Sequence, residues 1–117
     1  MGQALLATPA HPYYVVIFTS RLRGSAPGYA EMAVAMEELA ASRDGYLGRE
    51  SARGADLLGI SVSYWRDEAA IKAWKAEARH LVAQELGHER WYESFHLRVA
   101  RVERAYSGPR AGSVLEG

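Results

Sequence analysis

The chain has 117 residues, and its hydrophobic fraction of 49% is enough for the core of a single domain. Because 14 basic and 14 acidic residues cancel, no basic field is available for a phosphate backbone, and we expect no nucleic acid partner. No apolar run reaches the about 20 residues of a membrane span. The absence of cysteine excludes disulfides and thiolate chemistry, and the expected location is the cytoplasm.

The first half of the chain predicts a strand, a helix and two further strands. Residues 13–20 are dense in β-branched and aromatic side chains, which is typical of a strand. Apolar residues at three- and four-residue spacing predict a helix over residues 29–42, which ends before Gly45. Strands over residues 46–53 and 58–65 follow, and the second of them alternates apolar side chains with Gly, Ser, Ser and Trp.

The second half predicts another helix and a last strand. Asp67 can cap the helix, because its carboxylate can accept a hydrogen bond from a free backbone N–H of the first turn. The helix either runs to Leu86 or breaks near His80. The last strand covers residues 91–103, and a one-residue slip in its apolar alternation predicts a bulge near Ala100.

The order of these elements predicts an α+β fold of the ferredoxin-like split βαβ type (β-α-β-β-α-β), with a four-stranded antiparallel sheet and two helices on one face. We expect an extended arm over residues 1–12, the folded domain over 13–106 and a flexible tail over 107–117. The first strand is apolar on both sides, so its second face needs a cover. We therefore predict a homodimer through that sheet face.

Several segments resemble the antibiotic biosynthesis monooxygenase (ABM) domain family. They are residues 14–20, 45–48, 50–53, 60–65 and 70–75, while residues 89–92 and 98–104 resemble a bacterial branch of it. The resemblance covers nearly all of residues 13–106 and implies a dimeric α/β barrel, in which two ferredoxin-like subunits pack sheet against sheet. Some members of this family oxidise polycyclic phenols to quinones without metal, flavin or haem, and others bind haem and degrade it.

The resemblance also implies site residues. Trp74 matches a tryptophan of the phenol oxidisers, and His80 stands where they can carry a tyrosine. They use an asparagine one helical turn before the tryptophan, and that position is Ala70 here. Haem-degrading members have a histidine about ten residues beyond the tryptophan, where this chain has Gln84. The resemblance thus implies no cofactor, and haem binding is the weaker alternative.

The chemistry of the side chains gives roles to the same residues. Trp74 can stack on a flat substrate, with core packing as the alternative. His80 can transfer protons, because its unperturbed pKa is about 6.5, with a surface position as the alternative. Six residues turn a straight helix by roughly 600°, which leaves the two about 120° apart, so they converge only if the helix bends or breaks. The predicted substrate contacts are Tyr92, Ser61, Ser63, Trp65 and Trp91.

Two further groups are candidate ligand sites. Arg49 and Arg53 are in phase on the second strand and can receive an anion, although solvated or ion-paired side chains are the commoner outcome. Glu85 and His88 have the spacing of one helical metal-ligand pair, and a di-metal site needs several such pairs. We therefore predict no metal.

The leading hypothesis is a small cofactor-independent monooxygenase that acts on an aromatic or polycyclic small molecule. The alternative is a dimeric module without enzymatic activity, which binds a hydrophobic small molecule or serves in stress or assembly. The sequence leaves open which of the two is right, and it does not identify the ligand.

Overall fold

The secondary structure follows the predicted order. The computed structural model describes residues 5–7, 9–10, 12–84 and 91–109, with residues 79–84 described by their backbone alone. The elements are β1 (Tyr13–Leu22), α1 (Tyr29–Ala41), β2 (Tyr46–Arg53), β3 (Leu58–Trp65), α2 (Glu68–Gln84) and β4 (Tyr92–Val102). In this part of the chain no helix is long and apolar enough to cross a membrane.

The four strands form one sheet in the order β2-β3-β1-β4, and every neighbouring pair is antiparallel. Both helices pack on the same face, since Val16 of β1 and Trp65 of β3 share a buried cluster with Ala40 of α1 and Ile71 of α2. This arrangement confirms the predicted ferredoxin-like fold. The helix-facing side of the sheet is called the inner face below, and the opposite side the outer face.

The second helix begins as the sequence predicts. The Asp67 carboxylate accepts a hydrogen bond from the backbone N–H of Ala70 at 2.9 Å, which satisfies one of the free donors of the first turn. The backbone then stays helical without interruption through residue 80 to Gln84. The predicted alternative of a break near His80 is therefore wrong, and the predicted end at Leu86 lies outside the described residues.

The predicted bulge near Ala100 is also wrong. Pairing between β1 and β4 is continuous from Val102, which lies opposite Tyr13, to Ser94. The slip in the apolar pattern arises because Val102 lies on the outer face, where Tyr13 beside it is buried. The register of this pair shifts at its other end, between Arg21 and Leu22.

The outer face is covered in part by the chain's own N-terminal arm. The backbone N–H of Leu6 donates to the Glu50 carboxylate at 2.9 Å, and the Leu6 side chain lies against Gly48. Farther along the same face, Leu58 and Ile60 keep 41% and 49% of their surface exposed. The arm thus covers part of the outer face at β2, and an exposed apolar area remains beside it.

Candidate functional site

A cavity of about 450 Å³ lies between the inner face and the helices. This volume suits a small organic molecule, for which ligand pockets usually measure about 300–1,000 Å³. α1 contributes Tyr29, Met32 and Met36, and α2 contributes Trp74. The periodic stripe of α1 therefore forms a cavity wall as well as core.

The floor of the cavity is polar on one half and apolar on the other. Ser61 and Ser63 of β3 point to the inner face, where Ser51 of β2 lies opposite Ser61. On the other side of β3, Ser61 pairs with Phe18 of β1, which in turn pairs with Leu97 of β4. The serine side of β3 is thus the side that the helices cover, and Ser61 and Ser63 line the cavity there.

Trp74 lines the cavity, and its indole carries a buried, unpaired donor. Its ring lies 5.5 Å from that of Trp65, and its Nε1 is buried with no hydrogen-bond partner among the described residues. The other two tryptophans are satisfied: Trp65 donates to Ser63 Oγ at 2.8 Å, and Trp91 donates to the Pro27 carbonyl at 2.9 Å. An unsatisfied buried donor costs about 1–3 kcal/mol, so a ligand oxygen that accepted from Trp74 would gain that amount.

The end of the cavity near Tyr92 is aromatic. The Tyr92 ring makes edge contacts with Phe18 at 5.3 Å and with Tyr29 at 5.8 Å. Burial raises the pKa of the Tyr92 hydroxyl, and the neighbouring Tyr29 raises this pKa further, against an opposing effect of Arg53. Tyr92 is therefore a neutral hydroxyl near pH 7, which can donate or accept a hydrogen bond but does not act as a base.

An ion pair joins the helix wall to the floor. Arg49 Nη1 of β2 lies 2.6 Å from Glu37 Oε2 of α1, and Arg49 Nη2 donates to Ser51 Oγ at 2.7 Å. Both charged side chains line the cavity and are partly exposed, so the pair contributes little to stability. Its chemical importance is that Glu37 provides a carboxylate on the cavity wall.

The second arginine of β2 has different surroundings. Arg53 donates to the backbone carbonyls of Ser20 and Leu57 and to the Ser20 hydroxyl, and it lines the cavity. All three acceptors are neutral. Within the described chain Arg53 has no carboxylate partner, and its Cζ lies 5.9 Å from the centre of the Tyr29 ring.

Comparisons with known proteins agree with this geometry. No family model matches the chain. Over 104 residues it is 48% identical to the uncharacterised protein YqjZ of Bacillus subtilis, which covers 89% of this chain and 91% of YqjZ. The chain belongs to the family of YqjZ, which is ABM-like.

Two further comparisons involve oxygenases. The chain is 33% identical over 92 residues to jasmonate monooxygenase ABM of Pyricularia oryzae, which is 76% of this chain but 43% of that longer protein. A mutant of SnoaB, a cofactor-independent oxygenase of Streptomyces nogalater, superimposes with a TM-score of 0.67 at 10% identity. The superposition covers 81% of this chain and 97% of SnoaB, and it shows a shared fold.

The structure brings most of the predicted site residues to one cavity of this ABM-like protein. Trp65 is fully buried and lies behind Trp74, and the side chain of His80 lies outside the described residues. The predicted residues that line the cavity are Trp74, Tyr92, Ser61, Ser63 and Trp91. Sequence reasoning missed Glu37 and Tyr29, because helical periodicity identifies a covered face without separating core from cavity wall.

The position of the family asparagine is closed to the cavity. Ala70 is buried in the core. A Cβ built on Gly45 would lie 2.7 Å from the Cβ of Ala70. In the described part of the chain no group of three potential metal ligands occurs, and the predicted pair Glu85 and His88 lies outside it.

Proposed function

We propose that this protein is a cofactor-independent monooxygenase that oxidises an aromatic or polycyclic small molecule. The observation that carries the proposal is the Trp74 side chain on the wall of a cavity whose floor holds Ser61 and Ser63. The cofactor-independent oxygenase SnoaB, which shares the fold, and the monooxygenase of Pyricularia oryzae support the reaction class.

In this proposal the substrate ring stacks on Trp74, and a substrate oxygen accepts from its Nε1. Loss of the phenolic proton gives an electron-rich anion, which transfers an electron to O2. One oxygen atom then enters the ring, and the other leaves as water, so that phenol and O2 give quinone and water. The serine hydroxyls are fixed donors for the charge that develops on oxygen.

Two groups are candidates for the proton acceptor. His80 has the suitable intrinsic pKa, and it is the candidate from sequence. The continuous helix places residue 80 about 120° around the axis from Trp74 if α2 is straight. Glu37 is a carboxylate that lines the cavity, held by Arg49. Either group would transfer the proton to solvent after the substrate is deprotonated.

The partner in this proposal is a second copy of the chain, bound through the outer face. The exposed surfaces of Leu58 and Ile60 support it, since a strand with one wet face should carry polar side chains on that face. A two-fold dimer would cover both copies of this area with the same residues.

Oxygen consumption tests the reaction. Metal-stripped protein is mixed with a panel of polycyclic phenols in an oxygen electrode, and we expect uptake with at least one of them. His80→Ala and Glu37→Gln identify the base, because the correct one abolishes the rise of kcat with pH. His96→Ala is the control, since His96 is exposed on β4. No uptake across the panel would contradict the proposal.

A second candidate is a binding module without catalysis. The observation that favours it is Ala70, a buried methyl group where the phenol oxidisers have an amide. In that case calorimetry would detect binding of the same phenols, while the oxygen electrode would detect no uptake.

A further inference from the structure

We infer that the ligand of this cavity carries a carboxylate, which Arg53 binds side-on at the end away from Trp74. The inference rests on the proposed function for the identity of the cavity as the substrate site. It adds the chemical class of the substrate, an elongated aromatic or cyclic acid.

The hydrogen bonds of Arg53 leave one edge of its guanidinium free. Of the five N–H groups of an arginine, Nη1 donates to the carbonyls of Ser20 and Leu57, and Nη2 donates to Ser20 Oγ. Because Ser20 accepts from both terminal nitrogens, it lies opposite the end of the guanidinium, between Nη1 and Nη2. The N–H of Nε and the second N–H of Nη2 have no partner among the described residues. These two parallel donors fit the two oxygens of a carboxylate.

The guanidinium is held in place before any ligand arrives. A Cβ built on Gly59 would lie 2.5 Å from Arg53 Cζ, so only glycine allows the group to lie flat against β3. Ser20 beneath it is 2% exposed, and the Tyr29 ring faces it from α1. A preformed donor pair loses little side-chain freedom on binding, which favours affinity.

Charge distinguishes Arg53 from its neighbour on the same strand. Arg49 is neutralised by Glu37 at 2.6 Å, whereas the acceptors around Arg53 carry no charge. Arg53 is thus a cavity-lining cation that no described carboxylate neutralises. An acidic ligand supplies the missing negative charge, and a neutral ligand leaves it to solvent.

The register of the sheet places the two ends of the ligand. Arg53 lies opposite Gly59 of β3, while Trp74 packs on Trp65 at the other end of that strand. Six residues of a strand span about 20 Å, and long side chains from both ends shorten the gap. A carboxylate at Arg53 therefore directs an apolar body across Ser61 and Ser63 toward Trp74. The oxidised ring and the carboxylate must be separate parts of one molecule.

Binding without turnover tests the inference independently of the reaction. The probes are a panel of hydroxynaphthoic and hydroxynaphthylalkanoic acids and their methyl esters, titrated by calorimetry in anaerobic buffer. We expect at least one acid to bind about 10- to 100-fold more tightly than its ester, as is typical of hydrogen bonds to a charged group. Arg53→Gln should remove this preference, with little effect on the ester.

Two further variants keep the test decisive. Arg53→Lys retains the charge but loses the fork, so it should retain part of the preference for the acid. Arg98→Gln is the control and should preserve the preference, because Arg98 is an exposed arginine on the outer face of β4. If Arg53→Gln unfolds, Arg53→Lys alone decides the role of the fork.

The inference is overturned if acid and ester bind alike, if no acid binds, or if Arg53→Gln weakens both equally. Oxidation of the acids at the same rate by wild type and Arg53→Gln would also overturn it, while the proposed monooxygenase would stand.

Discussion

Gly45, in the turn before β2, packs tightly against Ala70 at the start of α2. A Cβ on Gly45 would lie only 2.7 Å from the Cβ of Ala70, and Gly45 has a φ of +91°. The backbone carbonyl of Gly45 also accepts from the N–H of Arg66 at 2.7 Å. The methyl group of Ala70, at the position where the phenol oxidisers carry asparagine, therefore fills the space in which a side chain at position 45 would lie.

Gly45→Ala should destabilise the protein. The left-handed backbone costs a non-glycine residue about 1–2 kcal/mol, and the clash with Ala70 adds to this. The free energy of unfolding in urea measures the effect. Gly24→Ala is the control, because nothing lies within 4 Å of its added Cβ and it lacks a positive φ. Equal stability of the two variants would contradict the packing described.

Trp91→Phe should mainly reduce stability, whereas Trp74→Phe should mainly reduce ligand binding or turnover. Trp91 is 3% exposed and loses its bond to Pro27, so its replacement should cost about 1–3 kcal/mol of unfolding free energy. Trp74 has no such bond to lose, so its replacement should cost less stability but weaken ligand binding or turnover. Urea unfolding and calorimetry on both variants check this, and a larger stability loss for Trp74→Phe would refute it.

The bond between Tyr64 and Glu50 should make stability depend on pH in two windows. The Tyr64 hydroxyl donates to Glu50 Oε1 at 2.6 Å. This bond and the N–H of Leu6 lower the pKa of the Glu50 carboxyl. The carboxylate therefore stabilises the fold above about pH 4.5, and this stabilisation is lost as the pH falls through the lowered pKa. Burial, together with Glu50, raises the pKa of Tyr64 to about 12. The Tyr64 hydroxyl therefore contributes its full stabilisation below pH 10.0, and this stabilisation is lost as the pH rises through about 12.

Glu50→Gln measures the acid window. Urea unfolding between pH 3 and pH 7 should show a smaller dependence on pH for the variant than for wild type, because the titrating carboxylate is gone. Glu93→Gln, an exposed carboxylate on β4, serves as the control. Identical pH profiles for wild type and Glu50→Gln would exclude this contribution.

Leu58→Lys should weaken the proposed dimer. A charge on the outer face would be buried without a partner when two copies meet, which should raise the dissociation constant by more than about tenfold. Analytical ultracentrifugation over a concentration series measures it. Val34→Lys is the control and should leave association unchanged, because Val34 is 54% exposed on α1, on the other side of the sheet. A monomeric wild type, or equal association of both variants, would contradict a dimer through this face.

The sequence predicts β2 and β3 to the residue, because glycines bound the hairpin and the alternation in β3 is regular. It also predicts the serine side of β3 as a ligand contact. Simple alternation in β2 does not predict the cavity, however, since Tyr46 and Arg49 lie on the same side only because the register shifts between Tyr46 and Gly48. The shift depends on pairing with a distant strand.

The long-range contacts of the site are the part that local patterns do not contain. Arg53 meets Ser20 and Gly59 through the sheet register, and Glu37 meets Arg49 through the packing of α1 on β2. Each of these pairs joins residues from different elements. Periodicity gives the face of an element, while the partner across the cavity follows from tertiary packing.

The N-terminal arm lies on the face that a second copy would occupy, held by the bond from Leu6 to Glu50. The cavity lies on the opposite side of the sheet from this arm. In the proposed dimer, substitutions at residues 5–7 would therefore change how strongly two copies associate while the chemistry of the pocket stays unchanged. Assembly and substrate choice are in this way open to independent change during evolution.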